Sequence, residues 1–176
     1  MTQLIHLNGP TAVGKSTVAA MYADQHPGVL NLDIDHVVML IGGWRANFWA
    51  TLAAGRELAF GMLGTHLSAG HDVVMPQLVT NVDEARKFEA AAERAGAEYR
   101  EIALVADKQR IIDRFTTRDH HIDEVLESRG GPDLVARVHD HLTAYVELRP
   151  NCVVVHTDEL DLAQTYEAVF GVPELR

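Results

Sequence analysis

The eight residues Gly9-Pro10-Thr11-Ala12-Val13-Gly14-Lys15-Ser16 constrain this chain more than any other feature. They satisfy the spacing G-x-x-x-x-G-K-[ST], and they stand between an apolar run, Leu4 to Asn8, and a helix-forming run that begins at Lys15. The glycines permit tight backbone geometry that turns consecutive N–H groups inward, and the helix that follows contributes the positive end of its dipole. Such a loop cradles phosphate oxygens. An ordinary strand-to-helix loop has no need of Lys-Ser at its end.

The remainder of the chain fits the frame that such a loop requires. Short apolar runs at Leu4 to Asn8, Val29 to Asp33, Asp72 to Met75, Tyr99 to Val105 and Cys152 to His156 read as strands. Helical segments are expected at Lys15 to Ala23, Asn47 to Ala69, Val82 to Ala95, Lys108 to Thr117, Pro132 to Glu147 and Leu162 to Phe170. Alternation of this kind predicts an α/β fold, the P-loop NTPase fold, in which a five-stranded parallel sheet is flanked by helices. The expected organisation is a single domain over residues 1–176. Gly70 and Gly96 are placed as left-handed residues just past two helices, and Asn81 and Asp161 as N-caps. Gly55, Gly61 and Gly64 each weaken the segment from Asn47 by about 1 kcal/mol relative to alanine, so it reads as one helix or as two.

Charge narrows the partners. Fifteen Lys and Arg against 25 Asp and Glu give a net charge of −10, which opposes attachment to nucleic acid or an anionic membrane. No apolar run approaches the roughly 20 residues of a membrane span, and the chain opens into Gln3-Leu4-Ile5 without a basic leader, so a cytoplasmic location is expected. Cys152 is the single cysteine, which excludes an intramolecular disulfide and reads as a small hydrophobe in the last strand.

Within the loop, Gly9, Ala12, Val13 and Gly14 are expected to offer backbone to the phosphates and Lys15 a full charge at the β and γ positions. Ser16 supplies a hydroxyl to Mg²⁺, and Thr17 lies near the α-phosphate. ATP and Mg²⁺ are the expected cofactors. The third strand ends Val73-Val74-Met75-Pro76-Gln77 without an acid, and the sequence has no Asn-Lys-x-Asp segment, so motor ATPases and GTPases lose weight. An acid pair follows the second strand instead, at Asp33-Ile34-Asp35. Read as extended backbone, it directs both carboxylates to one side, at the strand ends where open α/β folds bind ligands. Asp33 is then expected to help order the metal and Asp35 to orient or deprotonate a substrate hydroxyl. A turn acid or helix N-cap is the structural alternative.

Arg110, Arg114 and Arg118 recur every fourth residue on one helix face, ahead of a polar segment, residues 119–131, that reads as a lid. Arg114 and Arg118 are the candidates for stabilising the transferring phosphoryl group, with Arg129 a weaker one. Trp44, Arg45, Phe48 and Trp49 form an aromatic and basic cluster suited to an organic substrate, and Gln77 stands at a strand mouth where it can hydrogen-bond one. His120-His121 beside Asp119 and Asp123 has no further ligand fixed by spacing, and His139-Asp140-His141 reads as helix surface.

On these residues the chain resembles the small P-loop kinases, a group that includes shikimate kinase, gluconate kinase and chloramphenicol phosphotransferase. Within that superfamily it is similar to the tunicamycin-resistance proteins, through Asn8-Gly9 and Gly14-Lys15, the run Val73 to Thr80 and the Arg110 to Arg118 region. The resemblance implies a substrate region after strand two, a lid after strand four, an adenine neighbourhood around His156-Thr157-Asp158, and Asp35 at the acceptor hydroxyl. The function it implies is transfer of the ATP γ-phosphoryl group to a hydroxyl of a small molecule, tunicamycin being the leading acceptor. Two alternatives stay open: a nucleotide-dependent protein that sequesters an antibiotic without chemistry, and a toxin-like kinase of nucleotide sugars.

Overall fold

The computed structural model describes residues 1–117 and 123–171. Five parallel strands, β1 (Gln3–Asn8), β2 (Leu30–Asn31), β3 (Val73–Pro76), β4 (Glu98–Val105) and β5 (Val153–His156), lie in the order β2-β3-β1-β4-β5. From β1 the chain runs to the edge strand β2, returns to β3 beside β1, and then crosses to β4 and β5 on the other side, which puts the topological switch point at the end of the central strand. The phosphate-binding loop (P-loop) leaves β1 at that point and runs into α1 (Lys15–Gln25).

Strand alternation sends β1 side chains into two separate cores. Leu4, Val73 and Met75 face one layer with Leu63, Leu67 and Phe88. Ile5, Leu7, Val74, Ile102 and Leu104 face the other with Val18, Ile111 and Phe115. Burial on both faces is why these strands read as continuous apolar runs.

One sequence expectation is corrected here, and one left open is resolved. The second strand is shorter than Val29 to Asp33: Leu32 N still donates to Val74 O at 2.8 Å, but Asp33 leaves the sheet to cap α2 (Ile34–Met39). Asp33-Ile34-Asp35 is therefore a helix start, and the two acids do not project from extended backbone. The segment after Asn47 is one helix of 21 residues, α3 (Phe48–Ser68), despite its three glycines. A Cβ on Gly55 would stand 2.5 Å from Val38 Cγ2, so this glycine is what lets α3 close onto α2. Gly61 and Gly64 face open space and carry no such constraint.

The expected caps are present. Asn81 accepts from Asp83 N and Glu84 N at the start of α4 (Val82–Arg94), and Asp161 forms a capping box with Gln164 at α8 (Leu162–Phe170). Gly70 and Gly96 adopt φ of 88° and 72° just past α3 and α4. Beyond β4 run α5 (Lys108–Thr117), α6 (Asp123–Glu127) and α7 (Gly131–Glu147). The expected lid thus contains α6, while residues 119–122 of it, with His120 and His121, lie outside the described residues.

Gly61→Ala is expected to stabilise the fold by about 0.5–1 kcal/mol, through helix propensity alone. Gly55→Ala is expected to cost about 1–3 kcal/mol by overpacking α2. Urea unfolding monitored by circular dichroism checks both, and equal effects at the two positions would contradict the packing argument.

Candidate active site

The loop geometry follows from its residue types. Gly9 has φ of 151°, and a Cβ there would lie 2.6 Å from Leu104 O, so only glycine lets the loop pass against β4. Gly14 has φ of 106° and caps α1. Ala12 has φ of 64°, the one non-glycine residue at positive φ among those described, which is backbone strain held at the loop. Val13 buries its side chain in the core beneath, leaving its backbone to the loop. Lys15 Nζ donates to Pro10 O at 2.8 Å across the loop.

Below the loop sits a polar cluster that apolar periodicity does not reveal. Asn8 Oδ1 accepts from Gly9 N at 2.8 Å and from Val79 N at 3.0 Å, while Nδ2 donates to Val79 O at 2.9 Å and to Glu101 Oε1 at 3.2 Å. Glu101 also accepts from Tyr145 Oη at 2.5 Å and from Arg149 Nε at 2.9 Å. His6 is fully buried, and desolvation pushes its pKa down, so the ring is neutral. Its Nε2 faces Gln77 O at 2.8 Å; a carbonyl only accepts, so Nε2 carries the proton and Nδ1 accepts from Tyr99 Oη at 2.7 Å. These contacts fix the backbone at Gln77 and Val79, on the far wall of the site.

Helix capping brings the two acids to the P-loop. Asp33 is 5% exposed; its Oδ1 accepts from Asp35 N at 3.0 Å and its Oδ2 accepts from Ser16 Oγ at 2.9 Å. A hydroxyl and a buried carboxylate oxygen in contact are hard oxygen donors of the kind that suit Mg²⁺. Asp35, in the first turn of α2, has its pKa pushed up to about 6 by burial and then by the neighbouring Asp33 carboxylate, with Lys15, His36 and Arg56 opposing the shift.

A cavity of about 290 Å³ collects many of the predicted residues: Ala12, Gly14, Lys15, Ser16, Thr17, Asp35, Trp49 and Gln77. Its remaining wall comprises Thr11, Phe48, Leu52, Arg56, Pro76, Leu78 and Leu126. Trp49, Leu52 and Arg56 follow one another at i, i+3 and i+7 on α3, so helical spacing from Trp49 was the signal that could have found Leu52 and Arg56. Leu126 brings α6 of the lid to the same cavity.

The other predicted residues are placed elsewhere. Trp44 is buried in the core with the Arg45 guanidinium 4.4 Å from its ring centre. Both border an adjoining hollow, which Trp49 and Arg129 also line, the Arg129 guanidinium being 5.9 Å from the Trp49 ring centre. Arg110 donates to Asp158 O and pairs with Glu159, tying α5 to the segment after β5. Arg114 is half-buried on α5 and lines none of these cavities; Arg118 lies outside the described residues. Thr157 is buried, with its hydroxyl donating to Val105 O at 3.2 Å. His139 Nε2 bonds Ala106 O and Asp140 pairs with Lys108, as befits a helix surface. Cys152 is half-buried, and burial pushes its thiol up to about 12. No helix among the described residues is long and apolar enough to cross a membrane.

A P-loop at the switch point of a five-stranded parallel sheet, with a buried acid on its serine, defines a protein of the P-loop NTPase fold. The sequence pattern of the AAA domain family matches residues 4–148, and the chain belongs to that family. Its fold is that of the small kinases which the sequence resembles. The Deinococcus radiodurans tunicamycin resistance protein is 16% identical, with a TM-score of 0.62 over 97% of this chain and 95% of that one. A gluconokinase from Sinorhizobium meliloti is 17% identical, with a TM-score of 0.66 over 96% and 90%. Shikimate kinase from Bacteroides thetaiotaomicron is 18% identical, with a TM-score of 0.61 over 95% and 94%. Identities this low show the shared fold. No curated protein sequence matches the chain.

The raised Asp35 pKa has a stability consequence. The native state holds a proton on Asp35 up to about pH 6, whereas the unfolded chain loses it near 3.8, so this group's contribution falls as pH rises between those values. Above pH 6 the ionised group costs up to about 3 kcal/mol. Asp35→Asn is therefore expected to raise the Tm of the nucleotide-free protein by several degrees at pH 8, and the gain should shrink to nothing near pH 4. Thermal melts across that range check it.

Proposed function

We propose that this protein is an ATP-dependent kinase that transfers the γ-phosphoryl group to a hydroxyl of a small molecule. The observation that carries this reading is the shared cavity of Lys15, Ser16 and Asp35, in which a carboxyl with pKa about 6 stands beside the phosphate cradle. A general base works best when its pKa lies near the operating pH, and Asp35 meets that condition.

In this mechanism the loop amides and Lys15 hold the β and γ phosphates. Ser16 and Asp33 are the residues that would hold Mg²⁺, which when bound neutralises charge on the phosphates. Asp35 orients the acceptor hydroxyl and takes its proton. Arg114 and Arg118, on the segment leading into the lid, are assigned to charge on the transferring group, and α6 closes through Leu126. Thr157 borders the adenine side by holding β5 to β4. Gln77 and Trp49 contact the acceptor, and Trp44 and Arg45 extend its reach through the adjoining hollow. Tunicamycin is the leading acceptor, supported by the shared fold of the Deinococcus radiodurans protein. A cavity of about 290 Å³ takes a small acceptor whole, or the reacting end of a larger one.

Lys15→Ala is expected to lower transfer by about 10²–10³-fold, and Asp35→Asn by about 10²–10⁴-fold while ATP binding persists. The assay is mass spectrometry of tunicamycin, chloramphenicol, shikimate, gluconate, nucleosides and nucleotide sugars incubated with protein, Mg²⁺ and ATP, with calorimetry for nucleotide affinity. Full transfer by Asp35→Asn removes the proposed base. Tight acceptor binding without a phosphorylated product replaces the kinase with a sequestering protein.

A further inference from the structure

Among the described residues, Arg56 is the cation that lines this cavity besides Lys15, while Arg45 and Arg129 line the adjoining hollow. The charge of Arg56 is already matched: Nη1 lies 2.9 Å from Glu84 Oε1, and the two side chains are only 31% and 23% exposed. Glu84 is held in place from its own side, because its backbone N–H donates to the Asn81 cap at 3.2 Å, and the start of α4 favours a negative charge there. Glu84 therefore compensates the charge of Arg56, so a carboxylate or phosphate on an acceptor in this cavity meets no unmatched cation from α3. The other walls, Phe48, Trp49, Leu52, Pro76 and Leu78, offer rings and aliphatic surface. Arg56 Nε is buried without a hydrogen-bond partner.

We propose that the acceptor is an electrically neutral alcohol with an apolar or aromatic body, and that Glu84 sets this choice by cancelling the charge of Arg56. The proposal rests on the kinase reading for the chemistry that follows binding. In that step the acceptor oxygen forms a bond to the γ-phosphorus and the bond from γ-phosphorus to the β,γ-bridging oxygen breaks. The electron pair leaves with ADP, and the hydroxyl proton passes to the Asp35 carboxylate. Discrimination against hydroxy acids comes from an acid, Glu84, already paired with the cation on this wall of the cavity.

The test separates binding from turnover. Matched probes, 4-(hydroxymethyl)benzoate against its methyl ester and shikimate against methyl shikimate, are titrated by calorimetry into protein held with Mg²⁺ and a non-hydrolysable ATP analogue. The neutral member of at least one pair is expected to bind tenfold or more tighter than its acid. Glu84→Gln is expected to bring the acid up at least tenfold, erasing or reversing the ratio, with Glu84→Ala as the second variant if the first does not fold. Acids that bind the wild type as well as their esters, no binding by any probe, or an unchanged ratio in a folded Glu84 variant each overturn the proposal. Because the nucleotide is unreactive, the result stands apart from phosphoryl transfer, which ³¹P NMR with ATP and the bound ester reads separately.

Discussion

The site depends on Asn8. One carboxamide at the end of β1 satisfies the first amide of the P-loop and both backbone groups of Val79, and reaches Glu101 on the neighbouring strand. It thereby fixes the distance between the phosphate cradle and the opposite wall of the cavity. Glu101 can occupy a nearly solvent-free position only because Tyr145, Arg149 and Asn8 together satisfy its oxygens. Arg149 is anchored in turn by Glu89 on α4. A buried ionic group of this kind adds little net stability, but it is costly to leave half-satisfied, so it selects one arrangement of β1, β4, α4 and the residues following α7.

A second constraint acts through contact distance. Gly55 removes the side chain that would hold α3 away from α2, and the residue after it is Arg56. The same helix pair therefore presents Asp35 from α2 and Arg56 from α3 to one cavity. Two of the site's charges are placed by an absence of atoms.

Capping and chemistry share residues here. Asp33 leaves the sheet, caps α2 and holds the P-loop serine with one carboxylate; Asn81 caps α4 and aligns Glu84. The backbone amide of Asp35 and the Ser16 hydroxyl hold the Asp33 carboxylate in place, while the Asp35 side chain, packed beside it, is pushed toward neutrality. Environment alone separates the behaviour of two acids that differ by two positions in sequence.

The sequence by itself determined the P-loop, the parallel sheet, the helix ends at Asn81, Gly70, Gly96 and Asp161, and the identity of the two acids that meet the P-loop. These are written in local patterns: glycine where backbone must be left-handed, capping side chains at fixed offsets, and apolar runs buried on both faces. Tertiary structure decided the rest. Leu32 still pairs with β3, but Asp33 bends away because Ser16, seventeen residues earlier, and the first turn of α2 compete for its oxygens. Trp44 went into the core while Trp49 faced the cavity, though the sequence offered both to a substrate. The Arg56–Glu84 pair and the His6–Glu101–Arg149 cluster join residues far apart in the chain, and no local period encodes such a meeting. Packing alone brings them together.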